Sequence, residues 1–225
     1  ARADLRNYGR DSEWSEANGD HPEAVREAEQ LARNALYDDA VRHHQIAQNL
    51  RQRFIEEQTP VLMERAREEY NLAAQGYRAY IDQYPNDPDA YEISYNLAEA
   101  MFFSGQFEDA AQAYAAVRDS NLDDRFRAQA AFRAVKALEE IRDGMVRRGE
   151  LQIPDEPPEA SGEPPRVPQT PIPEILTRLN EARDTHVRLL PESGRNPVFA
   201  YQTAQIFYRY GHWDEARQRF EQIYE

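Results

Sequence analysis

The sequence predicts an all-α protein built from consecutive helical hairpins. Residues 91–117 carry apolar side chains at helical spacing on both sides of Gly105, which predicts a bend between two helices. A matching stretch, residues 201–223, surrounds Gly211, which lies 106 residues after Gly105. The composition agrees: only 40% of the 225 residues are hydrophobic and the mean hydropathy is −0.90, as expected where each hairpin touches only its neighbours.

Five positions of this pattern recur at identical spacing in the two stretches. They are Gly105, Phe107, Ala110, Tyr114 and Val117 in the first, and Gly211, Trp213, Ala216, Phe220 and Ile223 in the second. The signature resembles that of the tetratricopeptide repeat. The resemblance implies an α-α superhelix of stacked hairpins, extended here by a long N-terminal helix. Thr203 departs from the pattern, because the family prefers leucine there.

The N-terminal part is predicted to contain a lead-in followed by long helices. Residues 1–21 are polar, and we expect them to be loosely held. Residues 22–90 are expected to hold the N-terminal helices and a first hairpin-like pair, with Pro22 at a first helical position. The first stripe extends to about Gln58, as one helix or as two that abut near residues 38–39. Its apolar members are Val25, Ala28, Leu31, Ala32, Ala35, Leu36, Ile46, Leu50 and Phe54.

A further helix is predicted from Thr59, as N-cap, and Pro60 to about Pro85. The segment that ends it and leads to the next helix, residues 80–90, resembles the linker between repeats in two bacterial envelope proteins. These are the outer-membrane assembly lipoprotein and the Tol–Pal-associated periplasmic coordinator. The resemblance implies a periplasmic or outer-membrane-associated protein, with the cytoplasm as the alternative.

The C-terminal part is predicted to continue the same solenoid domain. Residues 91–122 form one repeat, residues 123–196 a repeat with an insertion, and residues 197–225 a last repeat. The insertion, residues 149–173, holds eight prolines and a group of acidic residues, and such a segment is expected to be extended or disordered. It lies between the two helices of its repeat, or else it is a linker between domains.

Charge and residue usage exclude several classes of partner. A formal net charge of −14 argues against nucleic acid and anionic membrane surfaces, which both require clustered cations. No stretch is apolar enough for a membrane span.

The chain contains no cysteine, so disulfides and thiolate zinc sites are excluded. Lys136 is the only lysine, which reflects either a GC-rich genome or a surface that uses arginine pairing. Because the chain begins with Ala1, we expect it to be a piece of a longer protein.

The resemblance also implies a partner-binding groove, because the first helices of such hairpins line a concave face that receives a peptide or a partner helix. The implied groove residues are Tyr95, Asn96, Glu99, Phe102 and Phe103 in one repeat, and Tyr201, Gln202, Gln205, Tyr208 and Arg209 in the other. The alternative is that these side chains pack against neighbouring helices or another segment of the chain. The paired cations that hold a terminal carboxylate are not evident, which disfavours an acidic C-terminal peptide.

No catalytic residue, metal site or cofactor is predicted. The chain lacks a nucleophile elbow, a phosphate-binding glycine loop and an HExxH pair. His43 and His44, with Asp39 one turn earlier, are candidate metal ligands on a helix. Adjacent helical residues point about 100° apart and no third ligand is suggested, so a solvated helix face is expected instead. His186 is expected in an aromatic core position and His212 in a polar loop.

These observations favour a non-catalytic protein-interaction scaffold that binds a protein or peptide ligand. Two alternatives remain open at this point. The chain is the helical, non-catalytic arm of a multidomain envelope enzyme, or it is a structural module that self-associates through apolar ends near Phe220.

Overall fold

The computed structural model describes residues 12–156 and 168–224, and within them all regular structure is helical. The helices are α1 (Glu13–Ala17), α2 (Pro22–Glu57), α3 (Pro60–Gln83), α4 (Ala90–Ser104), α5 (Phe107–Asp119), α6 (Arg127–Arg147), α7 (Glu174–Leu189), α8 (Asn196–Arg209) and α9 (Trp213–Tyr224). The all-α class is therefore confirmed for the described residues. The chain divides into two compact units, Ala1–Ala113 and Tyr114–Glu225, each of which is described on its own.

In the first unit, α2 is one uninterrupted helix that packs along α3, and α3 packs in turn on α4. Only part of the predicted apolar stripe of α2 is buried. Leu31, for example, is 57% exposed. The buried residues are Ala32, Ala40, His44, Ala47 and Leu50. Small residues dominate this face because α3 approaches closely: a Cβ added at Gly76 would lie only 2.8 Å from the Cβ of Ala40.

His44 was predicted on a solvated face, and this prediction is wrong. It lies on the same stripe as Ala40 and Ala47, with its Nδ1 3.2 Å from the Tyr77 hydroxyl oxygen. The imidazole also meets the rings of Tyr70 and Tyr77 edge-on, at 5.5 and 5.7 Å between centroids. Burial lowers the pKa of His44 because the apolar surroundings disfavour the charged ring.

The buried histidine predicts a pH dependence of stability. The folded protein holds His44 with a lowered pKa, whereas the unfolded chain titrates near the ordinary value of about 6.5. The stabilising contribution is complete above that value. It is lost as the pH falls below it, at up to about 1.4 kcal/mol per pH unit, because the unfolded chain binds the proton first. Urea unfolding at stepped pH should show this fall. His44→Phe should make it shallower, and an unchanged slope would contradict the assignment.

The turn between α3 and α4 is tied to α2 by Asp87. Its Oδ2 accepts from the Arg33 guanidinium at 2.7 Å and from the Tyr80 hydroxyl at 3.0 Å, while Oδ1 accepts from the Asp89 backbone N–H at 2.9 Å. Burial, together with the hydrogen bond to Asp87, raises the pKa of Tyr80 to about 12. At the other end of α3, Thr59 has the extended backbone of an N-cap, but its side chain makes no capping hydrogen bond.

Gly105 and Gly211 occupy equivalent bends. Both have left-handed backbones, with φ of 90° and 75°. The N–H groups of Gly105 and Gln106 donate to the carbonyls of Phe102 and Met101. At the second bend, the corresponding N–H groups of Gly211 and His212 donate to the carbonyls of Tyr208 and Phe207. These paired bonds form a Schellman motif, in which glycine avoids the Cβ strain of the left-handed conformation.

Side chains around the two bends are equivalent as well. Phe102 and Phe107 meet at 71° with centroids 5.4 Å apart, and Tyr208 and Trp213 meet at 83° and 4.9 Å. Small residues are fully covered at matched positions of the flanking helices. These are Ala98 and Ala110 in the first unit, and Ala204 and Ala216 in the second.

The turns that precede α4 and α8 also repeat at the same interval. In the first, the N–H groups of Tyr84, Asp87 and Ala90 donate to the carbonyls of Tyr80, Tyr84 and Asp87. In the second, those of Leu190, Ser193 and Asn196 donate to His186, Leu190 and Ser193. The repeated pattern is thus longer than the sequence signature alone, since it begins at the end of α3 and at the end of α7.

In the second unit, consecutive helices from α6 to α9 pack on one another. The bend that follows α6, at Gly149, has the same backbone hydrogen-bond pattern as the bends at Gly105 and Gly211. The chain then continues without helix through residues 150–156. Residues 168–173 are also non-helical and lead into α7. The predicted absence of helix holds for these two flanks of the Pro-rich segment. Its middle, residues 157–167, lies outside the described residues.

Candidate functional site

The predicted groove residues of α4 are partly engaged with the rest of their own unit. Phe103 stacks on Tyr70 at 5.2 Å, the Arg51 guanidinium lies 4.3 Å from the centre of its ring, and Phe102 meets it edge-on at 5.2 Å. The two rings are half-buried. The Phe103 ring therefore packs against α2 and α3, as the alternative reading expected.

The remaining predicted residues of α4, namely Tyr95, Asn96 and Glu99, are also half-buried. Burial raises the pKa of Tyr70, the charge of Arg51 opposes the rise, and the carboxylate of Glu99 adds to it. Glu99 therefore lies within electrostatic reach of the Tyr70 hydroxyl on α3.

In α8 the predicted residues separate onto two faces. Tyr201 lies 5.6 Å from Phe220, and Tyr208 lies 4.9 Å from Trp213, both measured between ring centroids. These two tyrosines face α9, although Tyr201 remains 47% exposed. Gln202 is half-buried, and its buried Oε1 has no hydrogen-bond partner among residues 12–156 and 168–224.

The second face of α8 holds a non-helical segment of the chain itself, residues 151–156, which we call the strap. The Tyr210 hydroxyl donates to the carbonyl of Gln152 at 3.3 Å, and the Arg209 guanidinium donates to the carbonyl of Pro154 at 3.0 Å. Arg209 and Gln205 converge on one carboxylate oxygen of Glu156, at 3.0 and 2.5 Å. Side-chain donors on one helix face thus bind two backbone carbonyls and one carboxylate.

The acceptors follow one another at every second residue of the strap: the carbonyls of Gln152 and Pro154, then the carboxylate of Glu156. Pro154 fixes its own φ and disfavours a helical backbone at Ile153. Leu151 is buried at 5% exposure and anchors the strap, whereas its last three residues are exposed.

The other described flank of the Pro-rich segment is held at the end of the same helix. The Thr170 N–H donates to the carbonyl of Tyr210 at 3.0 Å, and His212 Nε2 donates to the carbonyl of Thr170 at 2.9 Å. His212 Nδ1 lies 3.0 Å from the Gln169 amide nitrogen. His212 was predicted in a polar loop, and it lies in the α8–α9 bend with both ring nitrogens engaged.

A buried polar group lies on α7, next to this surface but inside the core. Asn180, Arg183 and His186 are all nearly inaccessible, and the Arg183 guanidinium bonds Glu139 of α6 at 3.2 Å. Burial lowers the pKa of Arg183, and the Glu139 carboxylate opposes this shift. Burial also lowers the pKa of His186, whose ring meets Phe199 edge-on at 4.9 Å. The expected aromatic position of His186 matches these contacts.

In the part of the chain that the structure describes, no group of three or more His, Cys, Asp or Glu side chains is arranged so that it could hold a metal ion. His43 is half-buried and pairs with Glu69 of α3, while His44 is buried. None of the described helices has a stretch long and apolar enough to cross a membrane.

Two site residues, Tyr210 and His212, were not predicted. Their partners are backbone groups of an irregular segment, and backbone acceptors leave no mark in a sequence. The only available signal was charge, because Arg209 lies on a predicted groove face and the Pro-rich segment is acidic.

The fold and this surface together define a class: an all-α protein with a repeated helix–turn pattern and a helix face that holds an extended peptide segment. No family model matches the chain, and the searches of curated proteins and of solved structures also find no match.

Proposed function

We propose that this protein is a non-catalytic scaffold that binds extended peptide segments of partner proteins on stacked, tetratricopeptide-like hairpins. The observation that carries the proposal is the strap on α8, which is held largely through its backbone carbonyls by side-chain donors. A surface that binds main-chain groups accepts any extended segment with suitable side chains, which is how repeat scaffolds take peptides.

The repeated geometry supports the hairpin part of this proposal. The Schellman bends at Gly105 and Gly211 and the turns before α4 and α8 recur at one interval. A superhelical arrangement of these hairpins, and membership of the tetratricopeptide family, are part of the proposal. So is a place in a larger bacterial envelope protein, in the periplasm or at the outer membrane.

Selection from a displayed library of linear peptides tests the proposed function. We expect the folded protein to enrich a set of peptides, and we expect a Tyr95→Ala/Tyr201→Ala double variant to bind them at least about tenfold more weakly, as loss of aromatic anchors does. Circular dichroism must show that the variant keeps its helix content. If no peptide is enriched, the proposal is wrong. Equal binding of the enriched peptides by the double variant would remove Tyr95 and Tyr201 from the binding surface.

A further inference from the structure

The α8 surface is occupied by the strap, a segment of its own chain. Tyr210 and Arg209 donate to carbonyls two residues apart, at Gln152 and Pro154. These contacts depend on an extended backbone and not on the identity of the side chains. A segment from another protein can satisfy them equally well.

Selectivity comes from the carboxylate of Glu156, two residues beyond the second bound carbonyl. Arg209 Nη2 and Gln205 Nε2 both donate to its Oε1. Hydrogen bonds to a charged acceptor are stronger than neutral ones, and a guanidinium that bonds a carbonyl and a carboxylate together fixes their spacing. The surface therefore suits a proline-containing, extended segment with a glutamate two residues after the proline.

The strap is held weakly enough to be exchanged. The Arg209 and Glu156 side chains are 27% and 51% exposed, so their ion pair contributes only about 0–1 kcal/mol. Of the strap residues, only Leu151 is buried. The covalent tether adds to the hydrogen bonds from Gln205, Arg209 and Tyr210, because it gives an intramolecular ligand a high effective concentration.

We propose that the strap is an internal pseudo-ligand: residues 152–156 occupy the α8 site until an acidic, extended Pro-x-Glu segment of a partner protein displaces them. This inference rests on the proposed function and names the ligand chemistry of one of its surfaces. Leu151 stays buried during the exchange and keeps the released strap attached near the site.

The test uses a labelled, capped peptide with the sequence of residues 149–156 and measures its binding by fluorescence anisotropy. Three full-length proteins are compared: wild type, a loosened-strap variant (Pro154→Ala/Glu156→Ala), and Arg209→Ala. We expect the loosened-strap variant to bind the peptide at least about fivefold more tightly than wild type, because its own strap competes less. We expect Arg209→Ala to bind at least about fivefold more weakly than the loosened-strap variant.

The matched control is Arg217→Ala, which removes an arginine of α9 whose side chain is 74% exposed. It should bind the peptide as wild type does. A charge exchange adds a second, independent readout: Arg209→Glu protein should prefer the peptide carrying Glu156→Arg over the unchanged peptide. A locally unfolded site would bind neither peptide, so a preference for the exchanged peptide also shows that the site is still folded.

Equal peptide binding by wild type and the loosened-strap variant, or no binding by the latter, would overturn the inference. The proposed function would survive that result if the library selection still enriched peptides that depend on Tyr95 and Tyr201. If the selection fails while the strap peptide binds as expected, the wider scaffold proposal is wrong and the α8 site stands alone.

Discussion

Glu139→Ala is expected to lower the free energy of unfolding by about 3–5 kcal/mol. The change leaves the Arg183 guanidinium charged inside the second unit, where its side chain is only 2% exposed and Glu139 is its ion-pair partner among the described residues. Arginine does not escape this cost by losing its proton, because its pKa stays far above neutrality. Urea denaturation followed by circular dichroism measures the loss.

The second ion pair of the same carboxylate supplies the control. Lys136 bonds the other oxygen of Glu139 at 2.6 Å, but its side chain is 41% exposed. Lys136→Ala should therefore cost no more than about 1 kcal/mol. Removing both buried charges, with Glu139→Leu/Arg183→Met, should recover most of the loss, since apolar residues of similar volume replace buried ion pairs with little cost. A loss for Glu139→Ala no greater than that for Lys136→Ala would refute this account.

Periodicity predicted the helices and bends well, because both depend on local backbone chemistry. A left-handed bend between two apolar stripes favours glycine, and Gly105 and Gly211 are found in that conformation. Pro22 and Pro60 both begin helices, as a first-turn proline predicts. The fold class and most helix ends could thus be predicted from the sequence.

Burial of polar residues was predicted less well, because composition assigns histidine and arginine to the surface. His44 shares a stripe with Ala40 and Ala47, and this spacing would have indicated burial if the alanines had been weighted as the contact face. Arg183 lies on the buried side of α7 because Glu139 of α6 balances its charge. Arg183 and Glu139 lie on different helices and are far apart in the sequence, so a local sequence pattern does not predict their ion pair.

The candidate site was predicted only on its helix side. Gln205 and Arg209 were among the predicted groove residues. Their partner was expected to be another protein, with packing against neighbouring helices or another segment of the chain as the alternative. The Pro-rich segment was expected to be extended or disordered, and no pattern in it indicated that Leu151 is buried. Proline has no N–H to form a helical hydrogen bond, and the carbonyl of Pro154 accepts from Arg209, so the composition that suggested a linker also suits these contacts with α8. That the groove residues of α4 bind a partner is still a prediction.

Tyr77→Ala is expected to lower the free energy of unfolding by about 3–5 kcal/mol, because Tyr77 is 2% exposed and fills the space between α2 and α3. Tyr77→Phe should cost less, about 1–3 kcal/mol, since the ring stays and only the partner of His44 Nδ1 is lost. Leu72→Ala on the same helix, at a position 42% exposed, should change stability by no more than about 0.5 kcal/mol. Urea denaturation separates these three outcomes. Equal losses for Tyr77→Ala and Tyr77→Phe would mean that the hydroxyl, and not the packed ring, joins the two helices.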